Sequence, residues 1–548
     1  MTRAVFGTLL AAALVAGLAL RFVDLDARIV HHDEANQARK FGVLLETGDY
    51  RYDRSDHHGP TLYYLTLPSA WAFGQRTFAS IDEWTIRVVP ALFGAGLILL
   101  IGGLGRALGR RAAVAAAVLA AVSPALVYFS RFYIQETLFL FFSLAFLVAF
   151  GRVVWQPRLL SALAAGLLAG LAFSTKETFV IVIAAAALAA LVARAVSNGP
   201  GPGRRPMPSP AQRAGMLGAG LLTAAAVSYV LYSSFFRYPS GPIEAIRAFG
   251  IYAERGVGAG GSGWAEPWHY YLRILAYSSS GGVTWSEGLI LALAAVGLAG
   301  AFRSGQGFWP RYIALYAVTA AAGFSAVSYK TPWNLLPFYG GFVVLAGIGV
   351  DTLVSVWRAR PVRALLVLLL VAGVCHLGAQ AWRASVRYGS DTRNPYVYAH
   401  TTPDFLRLVQ RVKDLSAIHP DGARMFVMVV AGPYEQWPIP WYLRRMTRVG
   451  YWPQAAGAPR FDAAPVIISS QENAAAIGAA LGERYVTEFY GLRPDVLLTV
   501  YIERTLWERF LAARAGMTAA PAARTGMTAL PAARAGMTSS PAAPVPPI

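Results

Sequence analysis

The chain carries a single cysteine, Cys375, so no disulfide can form within it and cysteine usage says nothing about its compartment. Charge is scarce as well. Only 14% of the 548 residues are Asp, Glu, Lys or Arg, against about a quarter in an average soluble protein. Lysine is reduced to four positions, Lys40, Lys176, Lys330 and Lys413. A chain so poor in charge and 56% hydrophobic is not an ordinary water-soluble protein. It has no P-loop string, which argues against an ATP-driven pump. "GAGGSG" at 258–263 has a dinucleotide-binding glycine spacing but follows no expected strand and opens no expected helix, so a flexible loop is expected there. The N-terminal "MTRAVFGTLLAAALVAGLALRFV" lacks a small-residue cleavage site, and a retained first membrane span is expected.

What is abundant is apolar sequence. Mean hydropathy is +0.45, and apolar runs of roughly 18 residues, long enough to cross a bilayer as helix, recur along most of the chain. Eleven spans are expected, near 4–23, 85–105, 112–130, 135–151, 159–175, 178–195, 214–234, 286–302, 310–328, 333–351 and 364–382. The arginines orient them. With the N-terminus inside, the inner connections hold Arg3; Arg106, Arg110 and Arg111; Arg152 and Arg158; Arg194, Arg204, Arg205 and Arg213; Arg303 and Arg311; and Arg358, Arg360 and Arg363. Asp351, at a span edge, is the nearest acid to them. This is the positive-inside distribution. The net charge of +19 is therefore largely topological, and nucleic acid is excluded as a partner.

Everything chemically unusual then falls outside. The polytopic membrane domain, 1–383, has a long first outer loop at 24–84 and another at 235–285, and a Gly/Pro linker at 197–210 inside. Residues 384–510 read as a soluble α/β domain. "TTPDFLRLVQRVKDL" offers Thr402 as N-cap and Pro403 at the first helical position. "RMFVMVV", "PVIISS" and "DVLLTVYIER" read as strands and "ENAAAIGAALG" as a helix. Residues 511–548 repeat "AARAGMTAAP" with a ten-residue period, and a disordered tail is expected.

Four outer clusters carry the polar chemistry. "RIVHHDEANQ" holds His31, His32, Asp33 and Glu34; taken alone, such an acidic pair is a solvated helix cap. The same loop adds "YRYDRSDHHGPTLYYL", with Arg54, Asp56, His57 and His58, and the gathering of acids, imidazoles and an arginine resembles a site more than a linker. "SRFYIQETLF" places Arg131 and Glu136 at a span mouth, roughly 140° apart on a helix and so not an i,i+4 pair. "STKET" holds Lys176 and Glu177 between two spans, and "SYKTPWNLLPFY" holds Tyr329, Lys330 and Trp333. Bland alternatives are snorkelling arginine, a surface pair and an aromatic belt. Two of only four lysines in such short loops weigh against those alternatives. Carboxylates can take a proton from a hydroxyl, and fixed cations can stabilise a departing phosphate. Histidines 31, 32, 57 and 58 with Asp33 or Asp56 could hold a divalent metal, though neutral hydrogen-bonding imidazoles are favoured because no i,i+4 ligand pair is secure. "WPIPWYLRR" at 437–445 either packs the outer domain on the membrane or binds an acceptor glycan.

The strings "HHDEANQARKFGVLLETGDYRYD", "DHHGPTLYYLT", "SRFYIQETLFLFF", "KTPWNLLPFY" and "WPIPWYLRR" resemble the flippase activity-associated membrane protein family of bacteria and archaea. That family is in turn similar to the GT-C glycosyltransferases of the protein O-mannosyltransferase and aminoarabinose-transferase kind. The resemblance covers residues 1 to about 505. It implies a GT-C-like fold in the cytoplasmic membrane and transfer of a sugar from a polyprenyl-phosphate-linked lipid to a glycan, lipid or protein acceptor. It implies Asp33, with Glu34 adjacent, as the catalytic carboxylate, and Arg131, Lys176 and Lys330 as ligands of donor phosphate; Arg54 of the first outer loop is expected to join them. Sugar or acceptor contacts are expected from His32, Asp56, His57, His58, Glu136, Tyr329 and Trp333. The "HHDE" and "DHHGP" strings depart from the mannosyltransferases. The family's name points to an accessory role in glycan translocation as the alternative, with a secondary transporter ranked last.

Overall fold

The computed structural model describes residues 1–56, 58–197, 208–256, 265–357 and 359–519. Among them, seven helices are long and apolar enough to cross a membrane: Arg3–Phe22, Glu83–Leu108, Glu136–Trp155, Phe179–Val196, Pro210–Tyr232, Pro332–Val356 and Arg360–Arg387. The other four expected spans are also helical but shorter, broken or less apolar. Leu159–Phe173 and Gly288–Ala301 have 15 and 14 residues, and Phe308–Ala326 carries Arg311 and five aromatics. The segment at 112–130 divides into Arg110–Val122 and Pro124–Phe129. Pro124 disfavours helical geometry at the residue before it, and Ser123 instead caps the second helix through the Leu126 N–H.

Two helices face outward along most of their length. Leu217, Leu221 and Leu222 on Pro210–Tyr232, and Leu365, Leu368 and Leu369 on Arg360–Trp382, are all exposed, as a hydrocarbon-facing surface requires. Inside, some helices approach closely through glycine. A methyl added at Gly297 would strike the Leu345 carbonyl, and one at Gly349 the Leu293 carbonyl, so Gly288–Ala301 and Leu336–Val356 touch backbone to backbone.

The first long connection is itself built. His32–Thr47 starts with a capping box, in which the His31 ring accepts from backbone and the Glu34 side chain accepts from the His31 N–H. It stops at Gly48, whose φ of 71° is left-handed. Thr61–Ala72 follows. The loop at 235–285 contains Gly241–Gly256, Tyr270–Ala276 and a hairpin of β1 (Ser278–Ser280) and β2 (Val283–Trp285). The linker residues 198–207 and the "GAGGSG" string lie outside the described residues.

Beyond the last membrane helix is a mixed five-stranded sheet: β3 (Val427–Val430), β4 (Val449–Trp452), β5 (Val466–Ser470), β6 (Tyr485–Arg493) and β7 (Val496–Glu503), in the order β4-β3-β5-β7-β6. β3 pairs in parallel with β4 and β5, and β7 antiparallel with β5 and β6. Alternation sets the layers. Val427, Val429 and Ile468 join one core with Phe405 and Leu408 of Pro403–Ile418, while Met428, Val430 and Ile467 join another with Ile477 of Gln471–Leu481. Thr402 stands at the expected N-cap, but its hydroxyl donates to the Gly491 carbonyl at 2.5 Å instead. Helix Arg504–Ala519 overlaps the start of the expected tail, and residues from 520 onward lie outside the described residues.

Candidate functional site

A cavity of about 630 Å³ opens where the membrane helices meet the first long connection. Asp33, Asn36 and Gln37 line it from one face of His32–Thr47, as residues three and four apart must. Asp56 and His58, Gln135 and Glu136, Lys176 and Glu177, and Asn334 complete its polar side. Val180, Ile181, Phe249, Phe324 and Val327 give it an apolar wall. The cavity can therefore take a molecule with a polar head and an apolar tail.

Asp33 is the partly open carboxylate here, with 31% of its side chain exposed. His32 Nε2 lies 3.0 Å from Oδ1. His31, fully buried, donates from Nε2 to the Tyr398 carbonyl at 2.8 Å and accepts the Asp33 N–H at Nδ1. That fixes its tautomer, so the Nδ1 lone pair, 3.6 Å from Oδ2, offers that oxygen no proton. Burial alone would push the Asp33 carboxyl up, but the charge and hydrogen bond of His32, backed by His58, hold it well below the usual carboxylate range. Burial, then His32 and His400, keeps His31 well below the ordinary imidazole value and hence neutral. The site thus presents an ionised carboxylate with Oδ2 turned to neither ring proton.

Opposite it, Lys176 is 5% exposed and donates to Glu136 Oε1 and to Asn334 Oδ1, both at 2.7 Å. An ammonium has three N–H donors, so one remains. Glu177 accepts from Tyr52 and from His58 Nδ1, each at 2.9 Å. At the rim, Asp56 pairs with Lys40 at 2.6 Å and accepts from Asn36. Tyr329 and Trp333 line the opposite edge, and the Trp333 ring packs edge-on against Tyr398.

Several expected residues lie elsewhere. Glu34, expected beside Asp33 as catalytic, is fully buried and points away: Arg87 grips it at 2.9 and 3.0 Å, Arg28 lies 3.1 Å away, and the N–H groups of His31 and Tyr133 donate to it. Adjacent residues on a helix diverge by about 100°, so one faces the cavity and the other the core. Arg131, expected on donor phosphate, donates to the carbonyls of Leu20, Arg21 and Asp24, closing the end of Arg3–Phe22, where helix carbonyls lack partners. Lys330 donates to the carbonyls of Glu266 and Val327. Arg54 lies on the surface, 3.4 Å from Glu244. None of these four lines the cavity. His32 reaches the site through Asp33 rather than by lining it. His57 lies outside the described residues.

The neutral amides Asn36, Gln37, Gln135 and Asn334 were not expected, since uncharged amides carry no signal of their own in sequence. Nor were Tyr398 and His400, which reach His31 from far along the chain. The "WPIPWYLRR" segment packs against the membrane domain: Trp441 Nε1 donates to Glu83 at 2.8 Å and Arg444 to the Ile81 carbonyl.

Among the described residues, His31, His32 and Asp33 form the triplet closest enough for a metal, with ligand atoms within 4.8 Å. The donor set does not fit one. Both His31 nitrogens are committed, to the Tyr398 carbonyl and the Asp33 N–H, leaving a two-ligand remnant.

A family model described as dolichyl-phosphate-mannose-protein mannosyltransferase matches residues 67–200. No curated protein matches the chain by sequence. Among solved structures, ArnT from Cupriavidus metallidurans bound to undecaprenyl phosphate is similar at 17% identity, with a TM-score of 0.61 over 92% of this chain and 99% of that one. Its apo form gives 18% identity and a TM-score of 0.58, covering 91% and 98%. The archaeal oligosaccharyltransferase AglB from Archaeoglobus fulgidus, in complex with an inhibitory peptide and a dolichol-phosphate, gives 15% identity and a TM-score of 0.53, covering 93% and 77%. The chain thus shares the fold of ArnT and AglB, with a C-terminal sheet domain after its membrane helices, and it is a multi-pass membrane protein.

Proposed function

We propose that the protein is a membrane glycosyltransferase that moves a sugar from a polyprenyl-phosphate carrier to an acceptor hydroxyl at the outer face of the cytoplasmic membrane. The observation that carries this reading is a single cavity that the partly exposed Asp33 carboxylate shares with Lys176 and an apolar wall. ArnT and AglB, similar in fold, were solved with lipid phosphates bound, which supports that donor class.

In this reading the acceptor O–H gives its proton to Asp33 Oδ2 as its oxygen bonds to the anomeric carbon. The bond from that carbon to phosphate oxygen breaks, and configuration inverts. A carboxylate held low is a weak base at rest, but the hydroxyl grows acidic as its oxygen forms the new bond. The remaining N–H of Lys176 meets the negative charge on the leaving phosphate. The polyprenyl chain lies along Val180, Ile181 and Phe324.

The test is transfer by purified protein from polyprenyl-phosphate sugars. Asp33→Asn should lower kcat by about 100-fold or more, the usual contribution of a general base, while polyprenyl phosphate still binds. Full activity in that variant removes Asp33 from the role; donor binding without product would leave an accessory protein for lipid-linked glycans.

A further inference from the structure

The segment that carries Asp33 is held from outside its own domain. Val30 and His31 precede the first turn of His32–Thr47, and four groups from beyond residue 395 grip them. The Val30 N–H donates to the Tyr442 hydroxyl at 2.9 Å. The Thr401 hydroxyl donates to the Val30 carbonyl at 3.0 Å. His31 Nε2 donates to the Tyr398 carbonyl at 2.8 Å. The His400 ring lies 4.6 Å from that of His31, and Phe132 stacks on His400 while meeting His31 edge-on. Val30, His31, Thr401 and His400 are all nearly or fully buried.

These contacts govern more than packing. His31 is the N-cap, and its Nδ1 takes the Asp33 N–H while Glu34 closes the capping box. The Tyr398 carbonyl decides which His31 nitrogen bears the proton, so it also decides that the ring offers none to Asp33 Oδ2. Were Nδ1 protonated instead, the ring would lose the Asp33 N–H bond and could pair with Oδ2, the oxygen left for an acceptor.

We propose that the C-terminal sheet domain is a positioning element of the active site. Its approach strap, Tyr398–Thr401, and Tyr442 clamp Val30–His31, and through His31 they set the aim and availability of Asp33. Tyr442 and Thr401 are positioning residues, since they touch neither the cavity nor Asp33. The catalytic part of this inference rests on the glycosyltransferase reading; the clamp itself does not.

The full-length protein in detergent tests both parts. Tyr442→Phe combined with Thr401→Val removes the two hydroxyls with little change of shape, and Thr401→Ser with native Tyr442 restores them. Tyr501→Phe, which removes a bond to the Ala474 carbonyl within the sheet domain, controls for general loosening of that domain. In the double variant, amide hydrogen exchange over residues 31–36 should quicken about tenfold or more, as local opening becomes easier. The kcat for transfer should fall about tenfold while donor KM stays within about twofold, because orientation rather than binding is disturbed. Thr401→Ser and Tyr501→Phe should match the unmodified protein in both readouts. Unchanged exchange in the double variant overturns the clamp whatever the transfer assay gives. Faster exchange with unaltered kcat overturns its role in positioning. Should the unmodified protein transfer no sugar, the glycosyltransferase reading falls and exchange alone decides the clamp.

Discussion

Asp33 and Glu34 are neighbours with opposite fates. One opens on the cavity; the other is 0% exposed and locked between Arg87 and Arg28. Burial would raise the Glu34 carboxyl, but the two guanidiniums and the hydrogen bonds of Arg87 and Tyr133 bring it down to about 2. A carboxylate lowered in the folded state stabilises the fold above its unfolded value, here 4.5, and that contribution is lost as pH falls toward about 2. Glu34→Gln should therefore cost about 3–5 kcal/mol near neutrality, since two buried guanidiniums lose their counter-charge. Thermal or denaturant unfolding in detergent measures it, and the gap from the unmodified protein should narrow as pH drops below 4.5. A surface cap would show neither effect. Sequence alone could pair the two acids but not separate them, because the distinction depends on which face of one helix meets Arg87, more than fifty residues away.

At the scale of elements, the hydrophobic pattern was informative and the contacts between elements were not. All eleven apolar segments are helical, because a run of that length must satisfy its backbone internally in a bilayer. The break at Ser123–Pro124 was also open to reading, since proline lacks an N–H and restricts its predecessor. What the pattern concealed is close approach. Gly297 and Gly349 carry no signal apart from other glycines in apolar helices, yet their helices meet backbone to backbone there. Gly297→Val should push Gly288–Ala301 from Leu336–Val356 and lower the thermal midpoint in detergent by several degrees. The same change at Gly215, where nothing lies within 4 Å of an added Cβ, should leave the midpoint nearly unmoved.

On the scale of the whole molecule, the proposed orientation puts the sheet domain and the cavity on the outer side. With Cys375 replaced by serine, a cysteine at Gln454 of the sheet domain should react with a membrane-impermeant maleimide in intact cells. A cysteine at Arg106, at the opposite end of the helices, should react only after permeabilisation. Both positions are exposed, so reversed labelling would reverse the topology. The fold supplies a reason for the domain's placement: Trp441 is fully buried against Glu83, and Arg444 reaches the Ile81 carbonyl, so the domain sits on the connection that carries the candidate carboxylate.

The sequence by itself determined the helices, the bilayer-crossing character, the sheet of the C-terminal domain and the cluster around Asp33. Each of these follows from local composition and period, which the chain states in order. Only the tertiary structure decided that Lys176 shares a cavity with Asp33 while Arg131, Lys330 and Arg54 do not, and that Glu34 is a buried strut. It alone brings Tyr398, Thr401 and Tyr442 to Val30 and His31. The reason is physical. A cation's role depends on which carbonyl or carboxylate lies within about 3 Å of it, and that partner is chosen by packing between helices remote in sequence.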